Sequence, residues 1–88
     1  MSFQAMAWAV KQIAPTKSKF TLLILANYAD DQNKAWPSLA TLSRDTGIKR
    51  STLIESLNKL VELGLISKVK RFKGSLRTSN AYVLNVPQ

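Results

Sequence analysis

The 88-residue chain contains no cysteine and no histidine. Without cysteine there is no disulfide and no thiolate zinc site. Without histidine the commonest general base and metal ligand is missing. Carboxylates are scarce as well: five Asp and Glu stand against 13 Lys and Arg, and only Asp30 and Asp31 are adjacent, in the polar stretch DDQNKA. No glycine-rich phosphate loop and no nucleophile–base pair can be read. The expectation is therefore a non-enzyme with no catalytic residue, no cofactor, no metal and no small-molecule substrate. No apolar run approaches the roughly 20 residues needed to span a bilayer. The opening MSFQAMAWAVKQ lacks a cationic n-region. A cytoplasmic protein without a membrane partner is expected.

Apolar residues make up 45 % of the chain, enough for one core, and the length suits one domain over residues 1–88 and not two. The net charge of +8 favours polyanions, nucleic acid first and acidic membrane surfaces second. Its distribution is uneven. Between Lys49 and Arg77 eight basic residues face two acidic ones, a segment charge of +6, while the other five basic and three acidic residues leave +2 elsewhere. Solubility alone is the plain alternative for such an excess.

Along the chain, Phe3 to Lys11 suits a short helix with Trp8 turned inward. Pro15 breaks it, and Thr16 is placed to cap the next helix. KSKFTLLILANYA carries Phe20, Leu23, Ile24 and Tyr28 at helical spacing, with Leu22 and Leu25 on a second face. A helix apolar on both sides is a central one, so Phe20, Tyr28, Trp8 and Trp36 are expected in the core. Trp36 before Pro37 is held extended, and Ser38 is a strong N-cap for LATLSRDT. Gly47 suits the left-handed stop of that helix, with Ile48 tucked beside it. Leu53, Leu57, Leu60 and Val61 then form one stripe of a second helix, which begins at Thr52, opened by a capping box with Glu55, or a residue or two earlier, and which Gly64 can close. After Gly64 the period changes to that of strands: LISKVKRF and NAYVLNV flank the polar, basic KGSLRTS, a hairpin with a cationic loop.

Two short helices joined at a tight glycine turn form a helix-turn-helix, here Ser38 to Thr46 and Arg50 to Leu63. The second helix of such a pair fits the DNA major groove and offers its N-terminal side chains to base edges. The first can meet a phosphate with its N-terminal N–H groups. A basic hairpin completes a winged helix. The expected fold is thus α+β, mainly α: a winged helix-turn-helix with a three-helix core, a C-terminal two-stranded β-hairpin wing and an extra N-terminal helix. The expected partner is double-stranded DNA, bound singly or as a homodimer. Its contacts are assigned to Ser38, Lys49, Arg50, Ser51, Thr52, Glu55 and Lys59 around the helix pair, and to Lys70, Arg71, Lys73 and Arg77 on the wing.

AWPSLATLSRDTGIKRSTLIESLNKLVELGLI, followed by a basic stretch and TSNAYVL, resembles the winged helix-turn-helix domains of phage and plasmid replication proteins and related transcriptional regulators. SFQAMAWAVKQ and PTKSKFTLLILANYADD upstream extend the likeness over most of the chain. The resemblance implies sequence-specific DNA binding in replication initiation, or alternatively in transcription regulation, and an N-terminal domain of a longer protein. Two departures stand out: Lys49 replaces the usual Ser N-cap, and Ile54-Glu55 replaces a common Gln-Arg. Ile54 can touch a thymine methyl and Glu55 can accept from cytosine N4. Ile54 and Val61 can instead widen the buried face, or serve a partner contact in a protein–protein interaction module.

Overall fold

The computed structural model describes residues 3–69, 72–73, 76–77 and 81–87, with backbone alone at 72–73 and 76–77. Four helices are formed: α1 (Phe3–Val10), α2 (Thr16–Tyr28), α3 (Leu39–Thr46) and α4 (Arg50–Glu62). Five short strands accompany them: β1 (Lys34–Ala35), β2 (Ile66–Val69), β3 (Phe72–Lys73), β4 (Leu76–Arg77) and β5 (Ala81–Leu84). The architecture is the expected mainly helical winged helix-turn-helix with an additional N-terminal helix.

Helix α2 is central, packing against α1, α3, α4, β1 and β5. Of its two expected apolar faces, the one with Leu22 and Leu25 is buried, and Leu23 and Ile24 pack partly against the core. Ser18, Thr21 and Ala26 are buried with the first pair, whereas Phe20 and Tyr28 are 41 % and 39 % exposed. The two rings lie off the line that joins Ser18, Leu22, Leu25 and Ala26, which is the line the neighbouring elements cover. Thr21 is accommodated in the core because its hydroxyl donates to the Lys17 carbonyl one turn back, at 2.8 Å. Trp36 is also exposed, at 41 %, while Trp8 is partly buried against the core as expected. Thr16 is not the N-cap. Pro15 holds that place with φ −55° and ψ 151°, and its carbonyl accepts from the Lys19 N–H at 2.8 Å, so Thr16 is already helical.

The polar stretch after α2 is more ordered than its composition implies. The Asp30 carboxylate accepts from the Gln32 and Lys34 N–H groups at 2.9 and 3.0 Å, closing an Asx turn. Asn33 takes a φ of 64°, tolerated by Asn, and its carbonyl accepts from the Leu84 N–H at 2.8 Å. The turn delivers β1 to β5, a third strand that alternation could not reveal in two residues.

The resulting antiparallel sheet runs β1–β5–β2, with Ile66 opposite Leu84 and Lys68 opposite Tyr82. Ile66, Tyr82 and Leu84 face the helices, and Val83 faces away. Helix α4 passes into β2 through a Schellman motif: Gly64, at φ 75°, donates to Val61, and Leu65 donates to Leu60, both at 3.0 Å. Between β2 and β5 the chain also forms an antiparallel ribbon, β3 with β4, in place of a plain cationic loop.

Candidate nucleic-acid interface

The α3–α4 corner is fixed by local chemistry. The Ser38 hydroxyl oxygen accepts from the Thr41 N–H at 3.0 Å and starts α3. Gly47 ends α3 at φ 73°, its N–H donating to the Ser43 carbonyl at 2.9 Å. Hydroxyls then staple the turn. Ser43 donates to the Ile48 carbonyl at 2.7 Å, and Thr46 donates to the Leu42 carbonyl at 2.6 Å while accepting from the Ile48 N–H at 3.1 Å. Ile48 packs against the core beside the stop. A Cβ at Gly47 would meet open space, so the backbone conformation alone sets the cost of a side chain there. Gly47→Ala is expected to destabilise the domain by about 1–2 kcal/mol, and Gly47→Asn by less. Urea unfolding of the two variants checks this ordering.

A second tie sets α3 against the end of α2. The Tyr28 hydroxyl donates to the Asp45 carboxylate, which also pairs with Arg44 at 3.4 Å. The phenol hydrogen bond holds the Asp45 carboxyl below its ordinary value of 3.8. That same bond, to an anion, pushes the Tyr28 phenol above its ordinary 10.0. A lowered carboxyl stabilises the fold above its unfolded value and loses that effect as pH falls through its folded one. A raised phenol stabilises below its unfolded value and loses that effect as pH rises through its folded one. The stability lost in Tyr28→Phe should therefore be largest between pH 3.8 and 10.0 and shrink on either side. Urea midpoints of both proteins at acid, neutral and alkaline pH measure it.

Helix α4 starts at Arg50, with Lys49 as an N-cap that makes no side-chain cap bond. The start falls two residues ahead of Thr52, within the expected range, and the capping-box role expected for Thr52 and Glu55 is not used. Leu53, Leu57 and Leu60 are buried as expected, joined by Ser56. Val61 is not part of that stripe: it is 40 % exposed, and Ile54 is 44 % exposed. Neither widens the core face.

Lys49, Arg50, Ser51 and Glu55 are all exposed, and Thr52 is half-buried. The ion pairs among the described residues are Arg44–Asp45 and Lys59–Glu62, so Lys49 and Arg50 have no carboxylate among those residues. Two unneutralised cations at a helix N-terminus oppose the macrodipole, a cost of some tenths of a kcal/mol that a bound polyanion would reverse. Lys59 is placed differently. It pairs with Glu62 at 3.6 Å and sits nine residues after Arg50, about 14 Å along the axis. Ser38 already uses its hydroxyl on Thr41, as donor to the Thr41 hydroxyl and acceptor from the Thr41 N–H. Lys70 and Arg71 lie outside the described residues, and Lys73 and Arg77 are described in backbone only, paired within the β3–β4 ribbon.

The structure adds Lys17 to this surface. Lys17, Lys49 and Thr52 surround a shallow concavity of about 320 Å³, floored by Gly47 and Ile48. Lys17 belongs to the first turn of α2 and lies 32 positions before Lys49; only the packing of α2 on α4 brings them together. No local sequence signal could have found it. Asn58, exposed on α4 beyond Glu55, is legible from helical spacing but carries no charge to mark it.

A three-helix core, a glycine corner followed by a helix with one exposed face and a β-sheet carrying a ribbon define a winged helix-turn-helix, a DNA-binding class of fold. Residues 15–66 match the family model described as a helix-turn-helix domain, and the chain belongs to that family. No curated protein matches the chain in sequence.

Proposed function

We propose that residues 1–88 act as one sequence-specific double-stranded DNA-binding domain, with the first turns of α4 in the major groove and the wing on the backbone. The observation that carries this reading is the cationic mouth of α4: Lys49 and Arg50, without carboxylate partners among the described residues, beside Lys17 from another helix. Ser51 and Thr52 add hydroxyls at the same end, and the α3 N-terminus after Ser38 offers N–H groups to a phosphate. Glu55 accepts from a cytosine amine, Lys59 approaches the backbone once freed from Glu62, and Lys70, Arg71, Lys73 and Arg77 grip phosphates. The work is binding, not catalysis, carried out in the cytoplasm by one chain or a homodimer on DNA.

Within that class, the resemblance to phage and plasmid replication proteins favours replication initiation over transcription regulation. Selected binding sites separate the two, origin repeats pointing to the first and promoter sites to the second. The direct test is a gel shift with random-sequence duplex at low salt, where complexes are expected at protein concentrations on the order of micromolar. Absence of any shift would overturn the reading. The outward-facing Ile54 and Val61 support a second one, a protein–protein interaction module. It requires a partner or self-complex that Ile54→Arg abolishes, with duplex binding negligible.

A further inference from the structure

Helix α4 presents an outward row of Arg50, Ile54 and Asn58 at four-residue spacing, all exposed, with buried Leu53 and Leu57 turned inward. Two members of that row run against helix propensity. Ile is β-branched and Asn competes with the backbone for hydrogen bonds, so an exposed mid-helix site governed by propensity alone would favour Ala, Lys, Glu or Gln. Asn58 makes no hydrogen bond to any described residue that would explain its choice. Beside it, Lys59 pairs with Glu62 at 3.6 Å.

We propose that Asn58 is a base-reading residue that specifies adenine, with Ile54 reading a thymine methyl on a nearby base pair. This deepens the DNA-binding reading and rests on it. A carboxamide presents one acceptor and one donor side by side, matching adenine N6 and N7. Guanine offers two acceptors at the same edge, and cytosine a donor only. Ile54 and Asn58 lie one above the other on the helix, about 6 Å apart along its axis. That rise is close to two base-pair steps of roughly 3.4 Å. An aliphatic side chain finds its complement in the major groove at the thymine methyl. The row therefore calls for A·T pairs within about two steps of each other, beyond whatever Arg50 contacts at the helix mouth.

The test is selection of bound sequences from a random duplex pool by the 88-residue chain and by Asn58→Ala and Ile54→Ala, with nonspecific affinity measured separately. The wild-type chain should select a site with two A·T pairs at that spacing. Asn58→Ala should lose roughly five- to hundred-fold preference at one of them, with nonspecific affinity unchanged and thermal stability equal to or slightly above that of the wild type. Ile54→Ala should weaken preference at the other. An unchanged motif in Asn58→Ala, or a change confined to a G·C pair, overturns the assignment while leaving DNA binding in place. Binding without sequence preference in the wild type overturns it together with the sequence-specific part of the DNA-binding reading. Failure of the wild type to bind any duplex instead overturns the DNA-binding reading and this one with it.

Discussion

Raising monovalent salt from 50 to 200 mM is expected to weaken duplex binding by about a thousand-fold. The figure comes from counterion release. Each phosphate neutralised by a Lys or Arg frees condensed cations, and roughly six contacts give a slope near −5 in log affinity against log salt. The candidates for those contacts come from three parts of the fold. Lys49 and Arg50 stand at the mouth of α4, Lys17 stands at the start of α2, and the segment between β2 and β5 carries Lys70, Arg71, Lys73 and Arg77. The described cations at the mouth are not neutralised internally, so their contribution is available to a ligand. Replacing Lys17 and Lys49 together by Ala should reduce the slope by about 2 and weaken all sequences alike. The Lys17 carbonyl, which holds Thr21, is untouched by that change. Titrations at four or more salt concentrations decide the matter. A flat dependence would mean that the surface is not used on phosphates, and it would favour an apolar contact through Ile54 and Val61.

The corner at Gly47 was legible because its determinants are local: a capping serine, a left-handed glycine and a leucine row on each side lie within 25 residues of chain, from Ser38 to Glu62. The same holds for Gly64, whose Schellman bonds join residues a few positions apart. What sequence spacing missed depends on which residues the packing selects. Leu22 and Leu25 are buried on the contact face of α2 as their spacing implied, but Ser18, Thr21 and Ala26 complete that face, so counting large apolar side chains overlooked them and sent Phe20 and Tyr28 inward. Tyr28 instead reaches Asp45 on α3, a pairing of side chains 17 positions apart that only the helix crossing creates. Strand β1 is invisible for a related reason. Two residues carry no period, and their pairing is decided by the Asp30 turn and by the free edge of β5. The cationic character of the candidate interface was readable, but its outline was not, since Lys17 joins Lys49 through tertiary contact alone.

The sharpest stability contrast lies between two adjacent residues of α4. Leu53→Ala is expected to cost about 2–5 kcal/mol, because the side chain is fully buried and its removal leaves a cavity lined by neighbours that close only partly. Against a total of roughly 4–13 kcal/mol for a domain of this size, that is a large fraction. Ile54→Ala removes as many carbon atoms one position later. With Ile54 outward, the change is expected to stay within about 0.5 kcal/mol of zero, and the better helix propensity of Ala acts in its favour. The two substitutions should also separate in binding. Leu53→Ala lowers apparent affinity for every duplex through the fraction of folded chain, and a stabilising osmolyte restores it. Ile54→Ala leaves the folded fraction intact and acts on sequence preference. Urea unfolding followed by circular dichroism, paired with duplex titration, measures both. Equal destabilisation by the two would place Ile54 in the core, and the outward row that includes Asn58 would then lose its geometric basis.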